Sequence, residues 1–230
     1  MRETLSPRLL CVAKLVRQNA VLADVGTDHA YLPLFLLSVG KIDRAICSDI
    51  NEGPLASARE NASEDGLTDK ITFLLTSGLT GVMPYGPTDI AICGMGGELI
   101  SAIIENAPDS YQKGVRFILQ PMSRQEYLRA TLYRLGFAIV EEEYVREGDK
   151  PYLVLVAEYR GEALSFSEED CLVGLRRSRK TPMGEAEKFY FQKKAKALLR
   201  RRDGRAKGEE GTEEEDRLLA YLAPYIKETL

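Results

Sequence analysis

Several features that would place this 230-residue chain in other protein classes are missing from it. Its first twenty residues contain no basic stretch followed by an apolar one, so we expect no secretory signal, and no apolar run approaches membrane-spanning length. Its four cysteines lie far apart without the spacing of paired metal ligands: Cys11, Cys47, Cys93 and Cys171. We therefore expect core thiols in a reducing compartment, a cytoplasmic protein, no membrane partner and no bound metal.

An excess of positive charge is also missing. The formal net charge is -4, so the chain as a whole has no attraction for nucleic acid, and any such attraction must come from a local patch. With 44% hydrophobic and 29% charged residues, the composition is that of a folded globular protein.

Short apolar runs alternate with helical periodicity through the first 160 residues. The runs AVLADV, RAICSDI, ITFLLTS, DIAICGM and VRFILQP predict buried parallel strands, with crossover helices between most of them. Ser6 as a cap and Pro7 at the first helical position predict a helix before the first strand. The runs FAIVEEEYVREG and KPYLVLVAEYRG are separated only by a short turn, which predicts a closing antiparallel hairpin. The fold class is α/β, with a mostly parallel sheet.

Past Gly161 the sequence is typical of helices. Ser167 and Asp170 predict a capping box, and a longer helix is expected from about Glu185 to Arg202. DGRAKGEEGTEEE is interpreted as a polar linker to a last helix, whose apolar face carries Leu218, Leu222 and Ile226. The last two helices should form an antiparallel, coiled-coil-like pair.

This helical tail is strongly basic in one part. Residues 175–207 contain thirteen lysines and arginines against three acidic residues, a local charge of +10. A solvated helix face is the usual role of such a run, but the charge density favours contact with an RNA backbone.

The stretch ADVGTDHAYLP follows the first predicted strand and contains the only histidine of the chain. A dinucleotide-binding turn would need two further glycines at fixed offsets, and these are absent. The Asp24 carboxylate would repel a pyrophosphate, whereas a bare Gly26 turn beside it suits a cationic nucleoside such as S-adenosylmethionine. Asp49, at the end of the second strand, is placed to accept hydrogen bonds from ribose hydroxyls. Taken alone, the D-x-G pattern also occurs at ordinary turns after a strand.

The hairpin order and these motifs resemble class I methyltransferases from roughly Leu5 to Arg160. As a set, LSPRL, ADVGTDHAYLP, SDINEGPLASA, GMGG and LQP resemble the bacterial tRNA (adenine-N1)-methyltransferases of the TrmK type, which modify adenine 22. The resemblance implies a Rossmann-like domain over 1–160, a helical tRNA-binding domain over 161–230, S-adenosylmethionine as cofactor and no metal.

The resemblance also implies cofactor-binding residues. Asp24, Gly26 and Asp28 would form the first cofactor loop. Two further loops and the glycine turn complete the expected set: Asp49, Ile50, Ser77, Gly78, Leu79, Gly94 and Gly96. The D/N-P-P-[YF] motif of many amino-methylating enzymes is missing at this turn, which argues against methylation of a clamped exocyclic amine.

Three residues are candidates for the chemistry itself. Adenine N1 carries an in-plane lone pair, so catalysis can rest on alignment, and a carboxylate near the ring favours the cationic product. Asp28 is the first candidate for that carboxylate, His29 would orient the base or handle the N6 proton, and Met95 would offer a stacking surface. The alternatives are structural: Asp28 as a helix N-cap, His29 as a cap or backbone partner, and GMGG as a close strand-helix contact.

Rival functions stay open on sequence alone. A methyltransferase acting on another RNA or a small molecule would carry the same cofactor motifs. A non-catalytic RNA-binding module would explain the basic tail but not Asp24, Gly26 and Asp49 together. An NAD-linked oxidoreductase would share the sheet but would need the missing glycines.

Overall fold

A computed structural model of the chain describes residues 5–208 and 210–226. Within these residues seven strands form one sheet: β1 Ala20–Val25, β2 Ile42–Asp49, β3 Ile71–Leu75, β4 Asp89–Met95, β5 Arg116–Pro121, β6 Phe137–Glu147 and β7 Lys150–Tyr159. The α-helices are α1 Pro7–Leu15, α2 Tyr31–Ser38, α3 Glu52–Glu64, α4 Gly97–Glu105, α5 Gln125–Arg134, α6 Glu168–Val173, α7 Glu185–Lys207 and α8 Glu213–Ile226.

The sheet has the order β3-β2-β1-β4-β5-β7-β6. Strands β1 to β5 pair in parallel, and β7 inserts antiparallel between β5 and β6. The strand order reverses between β1 and β4, so the carboxyl ends of these two strands flank the crevice where such sheets bind ligands. The predicted α/β fold with a closing antiparallel hairpin is confirmed.

Each face of the sheet carries its own apolar layer. Alternation along β7 shows the division: Leu153 and Leu155 pack into one layer, and Val154 and Val156 pack into the other. Helices α1, α2 and α3 cover one face, whereas α4, α5 and the apolar side of α7 cover the other. The helical tail therefore shares a core with the sheet.

Two of the predicted helix starts are found where the sequence places them. Pro7 begins α1 and Ser6 holds the N-cap position, but the Ser6 hydroxyl makes no capping hydrogen bond and is buried without a partner, so its predicted capping role is wrong. The box at α6 forms in both directions, because the Asp170 amide donates to Ser167 Oγ and the Ser167 amide donates to the Asp170 carboxylate.

The predicted linker between the last two helices is wrong in its bounds. Helix α7 continues to Lys207 and α8 begins at Glu213, so most of DGRAKGEEGTEEE is helical. Contacts between α7 and α8 hold the two helices together. Arg201 forms an ion pair with Glu215 at 2.5 Å, and at the other end of the pair Phe191 stacks on Tyr225. These contacts run in opposite directions along the chain and confirm the antiparallel pair.

A buried ion pair joins α5, the hairpin and the helical tail. Arg129 Nε donates to Glu142 Oε1 at 2.7 Å, and both side chains are fully buried. Arg129 Nη1 also donates to the Cys171 carbonyl at 2.8 Å, and the Leu175 amide donates to Glu142 Oε2 at 2.8 Å. Two segments of the tail thus bond a charge pair that belongs to the sheet and its last crossover helix.

Candidate active site

The turn after β1 is built on a glycine that no other residue replaces freely. Gly26 has a φ of +73°, and its amide and the Thr27 amide both donate to the Ser48 carbonyl, at 2.8 and 2.9 Å. These bonds fasten the turn to the end of β2. A Cβ at Gly26 would collide with Met95 Cε, so the β4 turn lies directly over the β1 turn. The two glycine turns named from sequence are in contact.

Asp24 is a buried carboxylate at this turn, with 8% of its surface exposed. It accepts one hydrogen bond from Thr27 Oγ1 at 2.7 Å. Burial raises the pKa of Asp24 to about 6, against the lowering effect of the Thr27 hydrogen bond and with a further rise from the charge of Asp28. A carboxylate held under such desolvation is stabilised by a cation placed beside it.

Asp28 and His29 extend from the turn into solvent. His29 Nε2 lies 3.1 Å from Asp28 Oδ1, and the His29 ring stacks on Tyr31 with centroids 5.3 Å apart. His29 and Ala30 both adopt left-handed backbone conformations, with φ of 57° and 56°. Two such non-glycine residues in succession are strained, and strain of this kind is concentrated at functional loops.

The structure excludes the alternative in which Asp28 or His29 caps helix α2. Ala30 holds the N-cap position of α2, so Asp28 is not its N-cap and neither is His29. The His29 carbonyl does accept a hydrogen bond from Asn61 Nδ2 at 2.9 Å, so its backbone has a structural partner while its ring is exposed.

Asp49 lies at the carboxyl end of β2, next to the Gly26 turn. Its side chain accepts from the Asn51 amide at 2.7 Å, and its carbonyl accepts from the Thr76 amide at 2.9 Å. Ile50 follows it with 68% of its surface exposed. The end of β2 thus presents a carboxylate and an apolar side chain together.

The loop after β3 borders a small cavity against α4. Ser77, Gly78 and Leu79 line this space of about 160 Å³ together with Leu99 and Ile103. Gly78 has a φ of +58°, and a Cβ there would lie 3.1 Å from Ile103. The Leu79 side chain itself is buried in the core.

The GMGG turn packs tightly at both of its ends. Gly94 has a φ of +77° and Gly96 holds the N-cap position of α4. A Cβ at Gly97 would overlap the Arg124 carbonyl and lie 2.8 Å from the Ser123 carbonyl. The close contact of Gly97 is therefore with the loop between β5 and α5 and not with a strand, while Met95 packs over the Gly26 turn.

Sequence reasoning left three residues of this site without a role. Thr27 bonds Asp24, and Gln120 accepts hydrogen bonds from Arg8 Nη1 at 2.9 Å and from the Gly94 amide at 3.1 Å. Arg8 lies in LSPRL and Gln120 at the end of the predicted strand VRFILQP, and the sequence assigns neither side chain a partner. A buried strand that ends in glutamine was the available signal, because a buried amide needs partners.

Residues 5–208 and 210–226 contain neither a metal-binding cluster nor a membrane-spanning helix. Among them, no group of three or more His, Cys, Asp or Glu side chains is arranged to hold a metal ion. None of the helices in this part of the chain combines the length and apolarity that a bilayer crossing needs.

Comparisons with known proteins agree with this geometry. Residues 5–155 match the family described as a methyltransferase domain. The tRNA (adenine(22)-N(1))-methyltransferase of Bacillus subtilis is 40% identical over 155 residues, which is 67% of this chain and 65%, just under two thirds, of the relative's length.

Solved structures extend the match through the helical tail. A Streptococcus pneumoniae protein crystallised with S-adenosyl-L-methionine is 33% identical, with 97% of this chain and 100% of that chain covered and a TM-score of 0.83. The B. subtilis m1A22 tRNA methyltransferase TrmK is 30% identical, with 98% and 97% covered and a TM-score of 0.79. With its family match, its acid-glycine turn and its full-length structural likeness, the chain belongs to the methyltransferases and, among them, to the TrmK-type tRNA (adenine(22)-N1)-methyltransferase family.

Proposed function

We propose that this enzyme transfers the methyl group of S-adenosylmethionine to N1 of adenine 22 in tRNA. One observation carries the proposal: a buried Asp24 carboxylate lies beside the bare Gly26 turn where the strand order reverses, in a member of the TrmK family. When bound, S-adenosylmethionine supplies an electrophilic methyl group on a sulfonium.

The residues present fit such a cofactor. Asp24 offers an anionic partner to an α-ammonium group, and Gly26 leaves the backbone accessible. Asp49 offers its carboxylate to ribose hydroxyls, and Ile50 offers an exposed apolar side chain to adenine. The remaining proposed contacts lie at or just after the carboxyl ends of β1, β3 and β4: Asp28, Ser77, Gly78, Leu79, Gly94 and Gly96.

The chain's own residues would act on the adenine through charge and position. Adenine N1 needs no proton removed before it attacks, and the methylated ring is cationic. The exposed Asp28 carboxylate would stabilise that charge, while His29, 3.1 Å away, would orient the base or accept a proton from N6. Met95, placed over Gly26, would offer a surface on which the extruded base stacks.

A cationic stripe on α7 supports an RNA partner. Ion pairs neutralise much of the basic charge in the tail, especially those with the acidic residues at the start of α8. Lys193, Lys196 and Arg200 have no ion pair within the described residues and recur on one side of α7. Phe189 lies on the same side, with Lys193 Nζ 5.1 Å and the hairpin's Arg146 Cζ 4.2 Å from its ring centroid.

We propose the corresponding division of labour along the chain. Residues 1–160 would form the cofactor-binding and catalytic domain, and residues 161–230 would form the helical domain that contacts tRNA. The enzyme would act in the cytoplasm, where tRNA is modified.

A labelled-methyl assay tests the activity. Unmodified tRNA transcripts that differ only in A22 or G22 are incubated with the protein and labelled S-adenosylmethionine, and the products are digested to nucleosides. We expect N1-methyladenosine from the A22 transcript and none from the G22 transcript. Equal labelling of both, or label only in another RNA or a small molecule, would refute the assignment of adenine 22. A protein that binds tRNA but transfers no label would be a non-catalytic module.

A matched pair of triple variants tests the RNA surface. Lys193, Lys196 and Arg200 are replaced by alanine in one variant, and the exposed cations Arg44, Lys70 and Lys113 are replaced in the control. Each lost phosphate contact should flatten the slope of log affinity against log salt by about 0.7–0.9, so the first variant should lose up to about 3 from this slope. The control should keep the slope of the unmodified protein. Equal slopes for both variants would move tRNA binding away from α7.

A further inference from the structure

A buried amide links the N-terminal helix to the GMGG turn. Gln120, at the end of β5, is fully buried. Its Oε1 accepts from Arg8 Nη1 at 2.9 Å and from the Gly94 amide at 3.1 Å. Residues from α1, β4 and β5 thus meet at one oxygen atom.

Arg8 fixes which way this amide points. With two donors directed at Oε1, the oxygen faces Arg8 and Gly94. The Nε2 atom makes only long contacts, 3.4 Å to the Pro121 carbonyl and 3.5 Å to Met122 Sδ. These contacts are too weak to hold the amide, so its orientation depends on the charge-assisted bond from Arg8.

Gly94 depends on Gln120 because it is the one residue between Cys93 and Met95 that has no partner in the β4–β5 register. The register between β4 and β5 shifts between Cys93 and Met95, and Gly94 has a φ of +77°. Its amide is bonded to the Gln120 side chain in place of a strand partner. This bond therefore sets where the chain turns toward Met95, which lies over Gly26.

Arg8 also contacts residues of the β6–β7 hairpin. Its Cζ lies 5.9 Å from the Tyr152 ring centroid, and its Nε lies 3.8 Å from Glu147 Oε2. The proposed cofactor contacts of Asp24, Asp49 and Ser77 lie at the ends of β1, β2 and β3. Arg8 belongs to α1 and reaches the ends of β4 and β5 through Gln120, so it acts on the turn that carries Gly94 and Met95 and leaves those three contacts in place.

We propose that Arg8 is a positioning residue for methyl transfer, acting through the Gln120 amide and the Gly94 amide to hold the Met95 turn against the Gly26 turn. This inference rests on the proposed function. A misplaced turn would misalign base and methyl group, and a misplacement of about 1 Å can cost about 100-fold in rate.

The test compares Arg8→Ala with Lys14→Ala, which removes an exposed cation from the same helix. We expect Arg8→Ala to lower kcat on tRNA about 10- to 100-fold, with the Kd for S-adenosylhomocysteine within about threefold of the unmodified protein. Low millimolar guanidinium should restore part of the lost kcat, which a general loss of structure would not allow. Lys14→Ala should keep its kcat with or without guanidinium. Unchanged kcat in Arg8→Ala, a parallel loss of S-adenosylhomocysteine binding, or no rescue would overturn the proposal.

A second variant keeps the test decisive if Arg8→Ala folds poorly. Arg8→Lys keeps the charge but not the planar guanidinium. Gln120→Met removes the shared acceptor, so it should lose at least as much kcat as Arg8→Lys, because the Gly94 amide loses its partner too. The kcat of the Arg8→Lys/Gln120→Met double variant should be no lower than that of the slower single variant, since both residues act through one oxygen atom. Multiplying losses would show that Arg8 acts by another route. If the unmodified protein methylates no tRNA, the proposed function fails; if it does and Arg8→Ala equals it, only the role of Arg8 fails.

Discussion

Replacement of Arg129 by methionine should destabilise the protein strongly, because it leaves the Glu142 carboxylate buried without its cation. Both side chains are fully buried, and their bond is 2.7 Å long. Burial alone would lower the pKa of Arg129, but the adjacent Glu142 carboxylate raises it above its usual value. Breaking a buried pair from one side typically costs about 3–5 kcal/mol.

The tail loses a partner as well, because the Cys171 carbonyl accepts a hydrogen bond from Arg129 Nη1. We therefore expect the free energy of unfolding at pH 7 to fall by about 3–5 kcal/mol.

Urea unfolding at pH 7 measures the effect, with Arg134→Met as the control. Arg134 lies on the same helix and pairs with Glu105, but it is half exposed, so its loss should cost no more than about 1 kcal/mol. At about 2–4 °C per kcal/mol, Arg129→Met should also lower Tm by about 6–20 °C. A loss below about 1 kcal/mol would refute the reasoning.

Three further predictions concern the active site. Affinity for S-adenosylhomocysteine should fall by up to tenfold per pH unit below about pH 6. The pKa of Asp24 is raised to about 6, and its carboxyl must lose its proton to attract the ligand's ammonium group. An affinity that stays constant between pH 5 and 7.5 in calorimetric titrations would contradict this. Asp49→Ala should weaken the same ligand about 10- to 100-fold by removing charge-assisted hydrogen bonds, and unchanged affinity would place the ribose elsewhere. Gly97→Ala should lower the free energy of unfolding by about 1–3 kcal/mol, because the new Cβ would lie 2.8 Å from the Ser123 carbonyl. The control Gly53→Ala has nothing within 4 Å of its Cβ and should be neutral or stabilising in the same thermal melt.

The candidate site could be predicted from the sequence where its parts are local. The Asp24-Val25-Gly26 turn, the acid at the end of β2 and the GMGG turn each follow directly from a strand. Once the strands are parallel and adjacent, their carboxyl ends meet at one edge, so these turns must come together. The contact between Met95 and Gly26 is a consequence of that topology.

The bridge at Gln120 could not be predicted in this way. Arg8 and Gln120 are 112 positions apart, and no local pattern in LSPRL or LQP predicts a contact between the two side chains. The bounds of α7 and α8 were missed for a similar reason. The glycines and charges of DGRAKGEEGTEEE favour a linker locally, but ion pairs between the helices compensate for weak intrinsic propensity.

The sequence by itself determined the alternation of strands and helices, the closing hairpin, the glycine turns and the capping box at α6, because each depends on residues a few positions apart. Only the tertiary structure decided that Arg129 would be buried against Glu142, that Gln120 would hold Gly94, and that the acids of α8 would neutralise most of the facing bases of α7. These contacts join groups that chain folding brings together from separate elements, and their energies depend on burial and distance, which a linear order of residues does not contain.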